Sequence, residues 1–508
     1  MLNLTPLVRP YFERIAKRTD SWGASGDDLQ IAQLRSLLRR AAGCEVGRRY
    51  NFRELSTLKN PYRHYAGRVE PQDFECIREV VMRMIRGERD LLWPGVCNNF
   101  AQSSGTSGGK SKYIPITSDS LQRCHYKGAA DSVAHYLRHN NHSRLFSGKG
   151  MILGGSFANE LSIERNGLCV GDLSASLINK INPLVNLFRV PDKKIALMSD
   201  WTEKLPALVE KARREDVTNI SGVPSWFLTV IKEMLKACGV DSLYDVWPNL
   251  EVFFHGGISF EPYREEYKRL TDPDRMHFLE TYNASEGFFA VQNNPGEKGM
   301  LLTIDNDIFY EFLPVNALSS NPLPIWEIEE NKVYELLISS SNGLWRYHTG
   351  DTVRILSTAP VKILIAGRTK SFINAFGEEL MEENAERGMA TVCKVTDASV
   401  RNYTAAPVFA EGDRRGYHQW LIEWDKAPAD EGEFGRLLDM ELRKLNSDYD
   451  AKRTGDIFLD SLQIVSLPSG SFNRWLHTVG NGKLGGQRKV PRLANDRRIA
   501  DAILRMLS

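Results

Sequence analysis

Ser103-Ser104-Gly105-Thr106-Ser107-Gly108-Gly109-Lys110-Ser111-Lys112 gathers three glycines, four serines, one threonine and two lysines into ten positions, and Tyr113-Ile114-Pro115-Ile116 follows as an apolar, strand-like run. Glycines admit an anion close to main-chain N–H groups, hydroxyls donate to phosphate oxygens, and lysines balance charge, so the stretch reads as a phosphate grip. It misses the P-loop pattern by one residue. The first glycine of that pattern would stand at position 104, which is a serine, and a P-loop runs into a helix where this sequence runs into a strand. A P-loop phosphotransferase is the alternative reading.

Composition narrows the class. A chain of 508 residues holds two to four domains, and 42% hydrophobic with 25% charged residues is the balance of a globular protein. Lysine plus arginine at 65 against 64 acidic residues leaves a net charge of +1, which argues against a nucleic-acid or anionic-membrane partner. The seven cysteines, at 44, 76, 97, 124, 169, 238 and 393, are dispersed without a C-x-x-C pair, as in a cytoplasmic protein with reduced thiols. The first twenty residues lack a signal peptide's apolar core, and no run of about 18 apolar residues predicts a membrane span.

Helical periodicity covers residues 5–45, 72–90 and 117–140, and short apolar runs begin at Gly150, Asn219, Leu250 and Met276, each ending in a turn as buried strands of an α/β sheet do. Residues 300–365 read as a β-rich subdomain. After Gly367-Arg368-Thr369-Lys370 the pattern resets to helix, a strand at 419–424, a charged amphipathic helix at 431–447, a strand at 462–467 and a last apolar helix from Ile499. The expected architecture is α/β: residues 1–370 form a large domain of mixed sheets with flanking helices plus the β-rich part, and residues 371–508 a small α+β domain.

Three more constellations carry chemistry. Thr281-Tyr282-Asn283-Ala284-Ser285-Glu286-Gly287 follows an apolar strand, where α/β sheets bind ligands; Tyr282 has a face for a base and Glu286 oxygens for a hard cation. Trp345-Arg346-Tyr347-His348-Thr349-Gly350-Asp351 sets a carboxylate beside glycine, suited to the hydroxyls of a ribose or to an ordinary β-turn. Gly480-Asn481-Gly482-Lys483-Leu484-Gly485-Gly486-Gln487-Arg488-Lys489-Val490-Pro491-Arg492 is a glycine-rich loop able to bring positive charge to an anion.

In this order the residues resemble the adenylate-forming enzymes, and most closely the acyl acid amido synthetases of the auxin-responsive family known from plants, with bacterial relatives. Ser103 to Ser107 fit that family's Ser-Ser-Gly-Thr-Ser loop, Tyr282 to Glu286 its Tyr-x-Ala-Ser-Glu segment, Tyr347 to Asp351 its Tyr-x-x-Gly-Asp segment, and Lys489 to Arg492 its Lys-Val-Pro-Arg. The resemblance implies ATP and Mg2+ as cofactors, with a small carboxylic acid and an amino acid as the other partners. It places the ATP phosphates on Ser103, Ser104, Gly105, Thr106 and Ser107, with Lys110 or Lys112 beside them. Gly256 and Gly257 would lie along the adenine, Tyr282 would stack on it with Ala284 and Ser285 alongside, Glu286 would bind Mg2+ and Asp351 the ribose. Arg368 would be the hinge arginine reaching ribose or phosphate, and Lys489 the lysine that steadies charge during adenylation. The small domain would then be mobile about residues 368–372.

Plant members carry an Arg-Leu pair where this chain has His348-Thr349, so transfer to a thiol such as coenzyme A stands as the alternative second step. A noncatalytic nucleotide-binding protein is a further one. Val223-Pro224-Ser225-Trp226-Phe227 and Phe288-Phe289 are candidates for the acyl pocket. His255, His348 and His477 lie near these loops, and a catalytic role is assigned to none.

Overall fold

The computed structural model describes residues 2–103, 112–159, 161, 163, 165–257, 260, 263–315, 321–368, 372, 373, 375, 378, 380–408, 416–446, 449, 450, 453, 459–479, 490–494 and 496–507; at Ser103, Trp201, Thr202, Ser225, Thr229, Arg368, Phe372 and Val479 it describes the backbone alone. Two helices, Thr5–Arg18 and Trp22–Ala41, open the chain on either side of a 3-10 turn at Thr19–Ser21, so the helical pattern of residues 5–45 is two rods. In the second, Gln30, Leu34, Leu37, Leu38 and Ala41 are buried at the spacing of one helical face. Gln30 donates to the carbonyls of Ile304 (2.7 Å) and Ile308 (2.9 Å) and accepts from the Tyr310 N–H (2.8 Å), which satisfies a buried amide and clamps the helix to the sheet. No helix among the described residues is long and apolar enough to cross a membrane.

The strands of the first half are β1 (Asn99–Ser103), β2 (Lys112–Pro115), β3 (Lys149–Ile152), β4 (Cys169–Gly171), β5 (Arg189–Val190), β6 (Val217–Gly222), β7 (Val252–Gly256) and β8 (His277–Ala284). Then come β9 (Gly287–Val291), β10 (Met300–Leu302), β11 (Ile308–Pro314), β12 (Leu323–Pro324), β13 (Val333–Ser340), β14 (Tyr347–Thr358) and β15 (Val361–Arg368). β1, β2 and β4 make a small sheet of their own, and the rest join one sheet in the order β12-β11-β13-β14-β15-β10-β9-β8-β7-β6-β3-β5. From β5 to β8 the neighbours are parallel; from β8 to β12 they are antiparallel. The β-rich stretch of residues 300–365 is therefore the antiparallel half of the large sheet, continuous with the parallel half.

The parallel half is covered on both faces, which is why its strands read as unbroken apolar runs. On β7, Phe253 packs on Phe227 of the helix Pro224–Cys238 (5.3 Å between rings), while the next residue, Phe254, packs on Tyr136 of the helix Tyr126–His139 on the other side (5.9 Å). Beyond β15, β16 (Phe372–Ile373) pairs with β17 (Leu380–Met381), and β18 (Ser399–Val408), β19 (Tyr417–Lys426) and β20 (Gln463–Leu467) form a three-stranded sheet. The helices Glu382–Thr396 and Glu431–Leu445 contribute Met389, Phe434 and Leu438 to a core shared with Tyr403, Trp420 and Ile422, separate from the cores under the large sheet.

A buried ion pair fixes where β14 begins. The Arg346 guanidinium lies 2.8 Å from Glu311 on β11 and donates to the carbonyls of Ala66 (2.9 Å) and Val69 (2.7 Å), tying β11 and the start of β14 to the helical N-terminal layer. Arg346 itself holds φ of +45°, a conformation that costs a non-glycine residue and persists where its surroundings over-determine it. Arg346→Met leaves Glu311 buried and unpaired and is expected to destabilise this domain by about 3–5 kcal/mol. The double variant Arg346→Met/Glu311→Met should recover most of that loss; urea unfolding followed by tryptophan fluorescence measures both.

Candidate active site

The parallel strands end at a cleft. Gly222 and Val223 at the end of β6, Gly256 and Gly257 at the end of β7, and Tyr282, Ala284, Ser285 and Glu286 at the end of β8 all line it. Asp351 on β14 and Gly367 on β15 line it from the antiparallel half, and Glu386, Pro491 and Arg492 from the C-terminal unit. This is the carboxyl edge of the sheet at a change of strand direction, where open α/β sheets bind ligands. Two glycines are required by the close packing there: a Cβ on Gly256 would stand 2.3 Å from the Thr281 carbonyl oxygen, and Gly257 has φ of +83°.

Of the residues that the motifs single out, the structure brings Gly256, Gly257, Tyr282, Ala284, Ser285, Glu286 and Asp351 to one wall of the cleft. Ser103 ends β1 opposite Lys112 at the start of antiparallel β2, so the two ends of the grip are paired strands. Its inner positions, Ser104, Gly105, Thr106, Ser107 and Lys110, lie outside the described residues, as does Lys489. Arg368 closes β15, its backbone directly across from Asp351.

Tyr282 is spoken for on both sides. Its ring is 5% exposed and packs edge-to-face on Phe289 (4.8 Å), and its hydroxyl donates to Asp351 Oδ2 at 2.5 Å. The contact holds the Asp351 carboxylate in place at the cleft wall. Thr349 Oγ1, which donates to the Leu336 carbonyl (2.8 Å), accepts from the Asp351 N–H (3.2 Å) and pins the same residue from behind. Glu286 is also largely buried, and its carbonyl takes a hydrogen bond from Asn342 Nδ2 (2.8 Å). Among the described residues no three His, Cys, Asp or Glu side chains gather as a metal cage. A divalent cation here would rest on Glu286 together with ligand oxygens and water, the arrangement Mg2+ prefers.

Two of the histidines beside the motif loops already have partners. His255 is stacked on Phe260 (4.2 Å between rings) and burial pulls its pKa down to about 3; His348 Nδ1 sits 3.0 Å from Glu335, away from the cleft. Of the residues proposed for an acyl pocket, Val223, Trp226 and Phe288 line the cleft.

Two contacts join a motif residue to a partner outside the motifs. His125 and Asn283 pair inside the cleft, Nδ1 to Oδ1 at 3.1 Å. At the junction of the two units Arg492 is buried with its Nε 3.1 Å from Glu386, its guanidinium 4.5 Å from the centre of the Tyr403 ring, and Nη2 donating to the Tyr263 hydroxyl (3.3 Å). Arg492 closes the Lys-Val-Pro-Arg segment, and its spacing of over a hundred residues from Glu386 carries no signal.

Three comparisons bear on this geometry. Residues 17–207 match the GH3 family N-terminal domain, 301–368 its central domain and 383–498 its C-terminal domain. The chain belongs to the GH3 family. A probable indole-3-acetic acid-amido synthetase, GH3.1 of Arabidopsis thaliana, is 24% identical over 97% of this GH3 chain and 93% of its own. A more local match to the indole-3-acetic acid-amido synthetase GH3.4 of the same plant is 24% identical and spans 49% of this chain and 44% of that protein. Among solved structures, the GH3.15 acyl acid amido synthetase superposes with a TM-score of 0.77 at 18% identity, covering 97% of this chain and 96% of that one. A 2-hydroxyisobutyryl-CoA ligase in its postadenylation state reaches a TM-score of 0.59 at 11% identity, covering 95% and 92%, so the fold is that of the adenylate-forming enzymes.

Burial drives the Glu386 carboxyl up to about 7, only partly offset by Arg492 and the Tyr403 hydroxyl. A carboxyl raised in the folded state binds its proton more tightly there than in the unfolded chain, near its ordinary value of about 4.3, so its share of stability falls as pH rises toward 7. Wild-type stability measured relative to Glu386→Gln by thermal unfolding is expected to decline from pH 5 to 7 and to level off above 7.5.

Proposed function

We propose that this GH3 protein is an ATP-dependent acyl acid amido synthetase, which adenylates a small carboxylic acid and passes the acyl group to the amine of an amino acid. The observation that carries the reading is the convergence of Gly256, Gly257, Tyr282, Glu286 and Asp351, far apart in sequence, on one cleft at the sheet's carboxyl edge. The relatives named as amido synthetases supply the acceptor class.

In this reading Asp351, aimed by Tyr282 and Thr349, accepts the ribose hydroxyls, and Gly256 and Gly257 leave room for the adenine. Ser103 and the serine- and glycine-rich residues 104–107, with Lys110, hold the phosphates; Arg368, across from Asp351, reaches the same nucleotide. Glu286 holds Mg2+, which when bound draws charge off the phosphate oxygens. An oxygen of the acid attacks the α-phosphorus, the bond to the pyrophosphate oxygen breaks, and pyrophosphate leaves with that electron pair. Lys489 steadies the anionic oxygens as charge builds up. The amine nitrogen then attacks the carbonyl carbon, AMP leaves with the C–O electron pair, and the ammonium loses a proton to water. Residues 1–370 and 371–508 turn against each other about 368–372 between the steps. A cytoplasmic setting is supported by seven scattered cysteines without disulfides.

The test is carboxylate-dependent exchange of labelled pyrophosphate into ATP over a panel of aryl and alkyl acids, followed by amino acid and coenzyme A acceptors. Exchange is expected with at least one acid, falling by about 100-fold or more in Glu286→Ala and in Lys489→Ala. Full exchange in both variants overturns the site assignment; ADP in place of AMP identifies a phosphotransferase, and a thioester product a coenzyme A ligase. Removing the hydrogen bond to Asp351 in Tyr282→Phe is expected to raise the KM for ATP about tenfold, a loss of the size of one bond to a charged group, with the acid's KM unchanged.

A further inference from the structure

Arg492 is fixed inside its own unit before it reaches across the junction. Its Nε lies 3.1 Å from Glu386, and Nη1 donates to Asn402 Oδ1 and to the Tyr403 carbonyl (3.3 Å). Nη2 serves the other unit, where it donates to the Tyr263 hydroxyl at 3.3 Å. Tyr263 is 4% exposed and stands at the N-cap of the helix Arg264–Leu270, which follows β7 and the glycine pair Gly256–Gly257. Burial keeps the proton on its phenol, so the hydroxyl meets the guanidinium as a neutral acceptor.

A second contact crosses from the same side. Lys232, on the helix Pro224–Cys238, has its Nζ 3.1 Å from Glu266 on the helix Arg264–Leu270 and 3.9 Å from Asp425 on β19. Asp425 is held within its own unit by Arg401 of β18 at 2.7 Å. The two helices thus make one platform, joined by Lys232 and Glu266, and the paired strands β18 and β19 make the other, joined by Arg401 and Asp425. One contact between two bodies leaves a swivel, whereas two contacts at different points fix the rotation. In the orientation they fix, Glu386, Val490, Pro491 and Arg492 line the same cleft as Tyr282, Glu286 and Asp351.

We propose that Tyr263 is a positioning residue for adenylation, and that Tyr263–Arg492 and Lys232–Asp425 form a two-point clasp that holds the C-terminal unit over the cleft for the first step and releases it for the second. The proposal rests on the adenylation reading, in which the Lys-Val-Pro-Arg segment serves the first step and the units turn before the second. Both contacts are built to open. When the clasp parts, Arg492 keeps Glu386, Asn402 and Tyr403, Lys232 keeps Glu266, and Asp425 keeps Arg401. Release therefore strands no buried charge, unlike the breaking of Arg346 from Glu311.

Measuring the two half-reactions separately tests this. Pyrophosphate exchange with benzoate, phenylacetate, hexanoate and decanoate reads the first; the second is read from AMP release when the corresponding acyl-AMP, made chemically, is supplied with a mixture of amino acids or with coenzyme A. Tyr263→Phe is expected to lower kcat for exchange about tenfold, the size of one hydrogen bond to a charged group, and Lys232→Met about threefold, as for a partly exposed ion pair. Both variants should release AMP from the acyl-AMP within about twofold of the wild-type rate, since the lost contacts belong to the first step alone. Each pair of rates is read on one sample, so a smaller folded fraction scales both and cannot split them; the Lys232 side chain, 39% exposed, keeps the test open where Tyr263→Phe fails to fold. Equal slowing of both half-reactions in folded variants, or exchange at the wild-type rate, overturns the clasp and leaves adenylation standing. A wild-type protein that binds ATP but exchanges with no acid, or releases AMP to no acceptor, overturns the reading and the clasp with it.

Discussion

The large sheet changes from parallel to antiparallel at a two-residue turn, Ser285–Glu286, between β8 and β9, where Ala284 faces Gly287. That reversal places the carboxyl end of the last parallel strand beside an antiparallel half, and everything at the cleft depends on it. β8 and β14 stand four strand intervals apart in the sheet order, which in a flat sheet would hold them about 19 Å apart. The Tyr282 hydroxyl nevertheless lies 2.5 Å from Asp351 on β14. The antiparallel half must therefore curl over the end of β8, in the sense of strand twist, and the hydrogen bond closes the curl.

What holds the curl open to a ligand and closed to collapse is the anchoring of β14 from behind. Arg346, one residue before that strand, spends its guanidinium on Glu311 and on two carbonyls of the helical layer, and Trp345 beside it packs on Phe52 and Trp93. Breaking one partner of that buried pair costs more than the pair contributes as a whole, because the remaining charge has no water. On the opposite side the cleft is walled by the C-terminal unit, where Arg492 joins Glu386, Tyr403 and Tyr263. Residues 491 and 492 are tethered there: the Pro491 carbonyl accepts from Thr404 Oγ1 (2.6 Å), and the Arg492 carbonyl from the Ala405 N–H (2.8 Å).

Much of this was readable from residue order alone. Parallel strands covered on both faces leave unbroken apolar runs, so β3, β6, β7 and β8 stood out, and the motifs around Tyr282, Glu286 and Asp351 mark residues that the fold brings to one cleft. β18 did not stand out, because Arg401, Asn402, two alanines and Pro407 dilute its apolar alternation, and its pairing with β19 supplies what the sequence lacks. The junction of Arg492 with Glu386 and the pairing of His125 with Asn283 were invisible for another reason: each joins residues more than a hundred positions apart through tertiary packing. The π turn Leu121–His125 and the register shift of β8 between Tyr282 and Asn283 leave no mark on hydrophobic periodicity either. Residues 300–365 were legible as strands, but that they continue the parallel sheet is a matter of edge pairing between β9, β10 and β15.

The central claim is that an oxygen of the acid attacks the α-phosphorus of ATP in this cleft. It is tested most directly with an acid labelled with 18O in both carboxylate oxygens, in a complete reaction with ATP and an amino acid, reading the phosphorus products by mass spectrometry. Attack at the α-phosphorus predicts one 18O in AMP and none in pyrophosphate. Label in inorganic phosphate alongside ADP would place the attack at the γ-phosphorus and contradict the account.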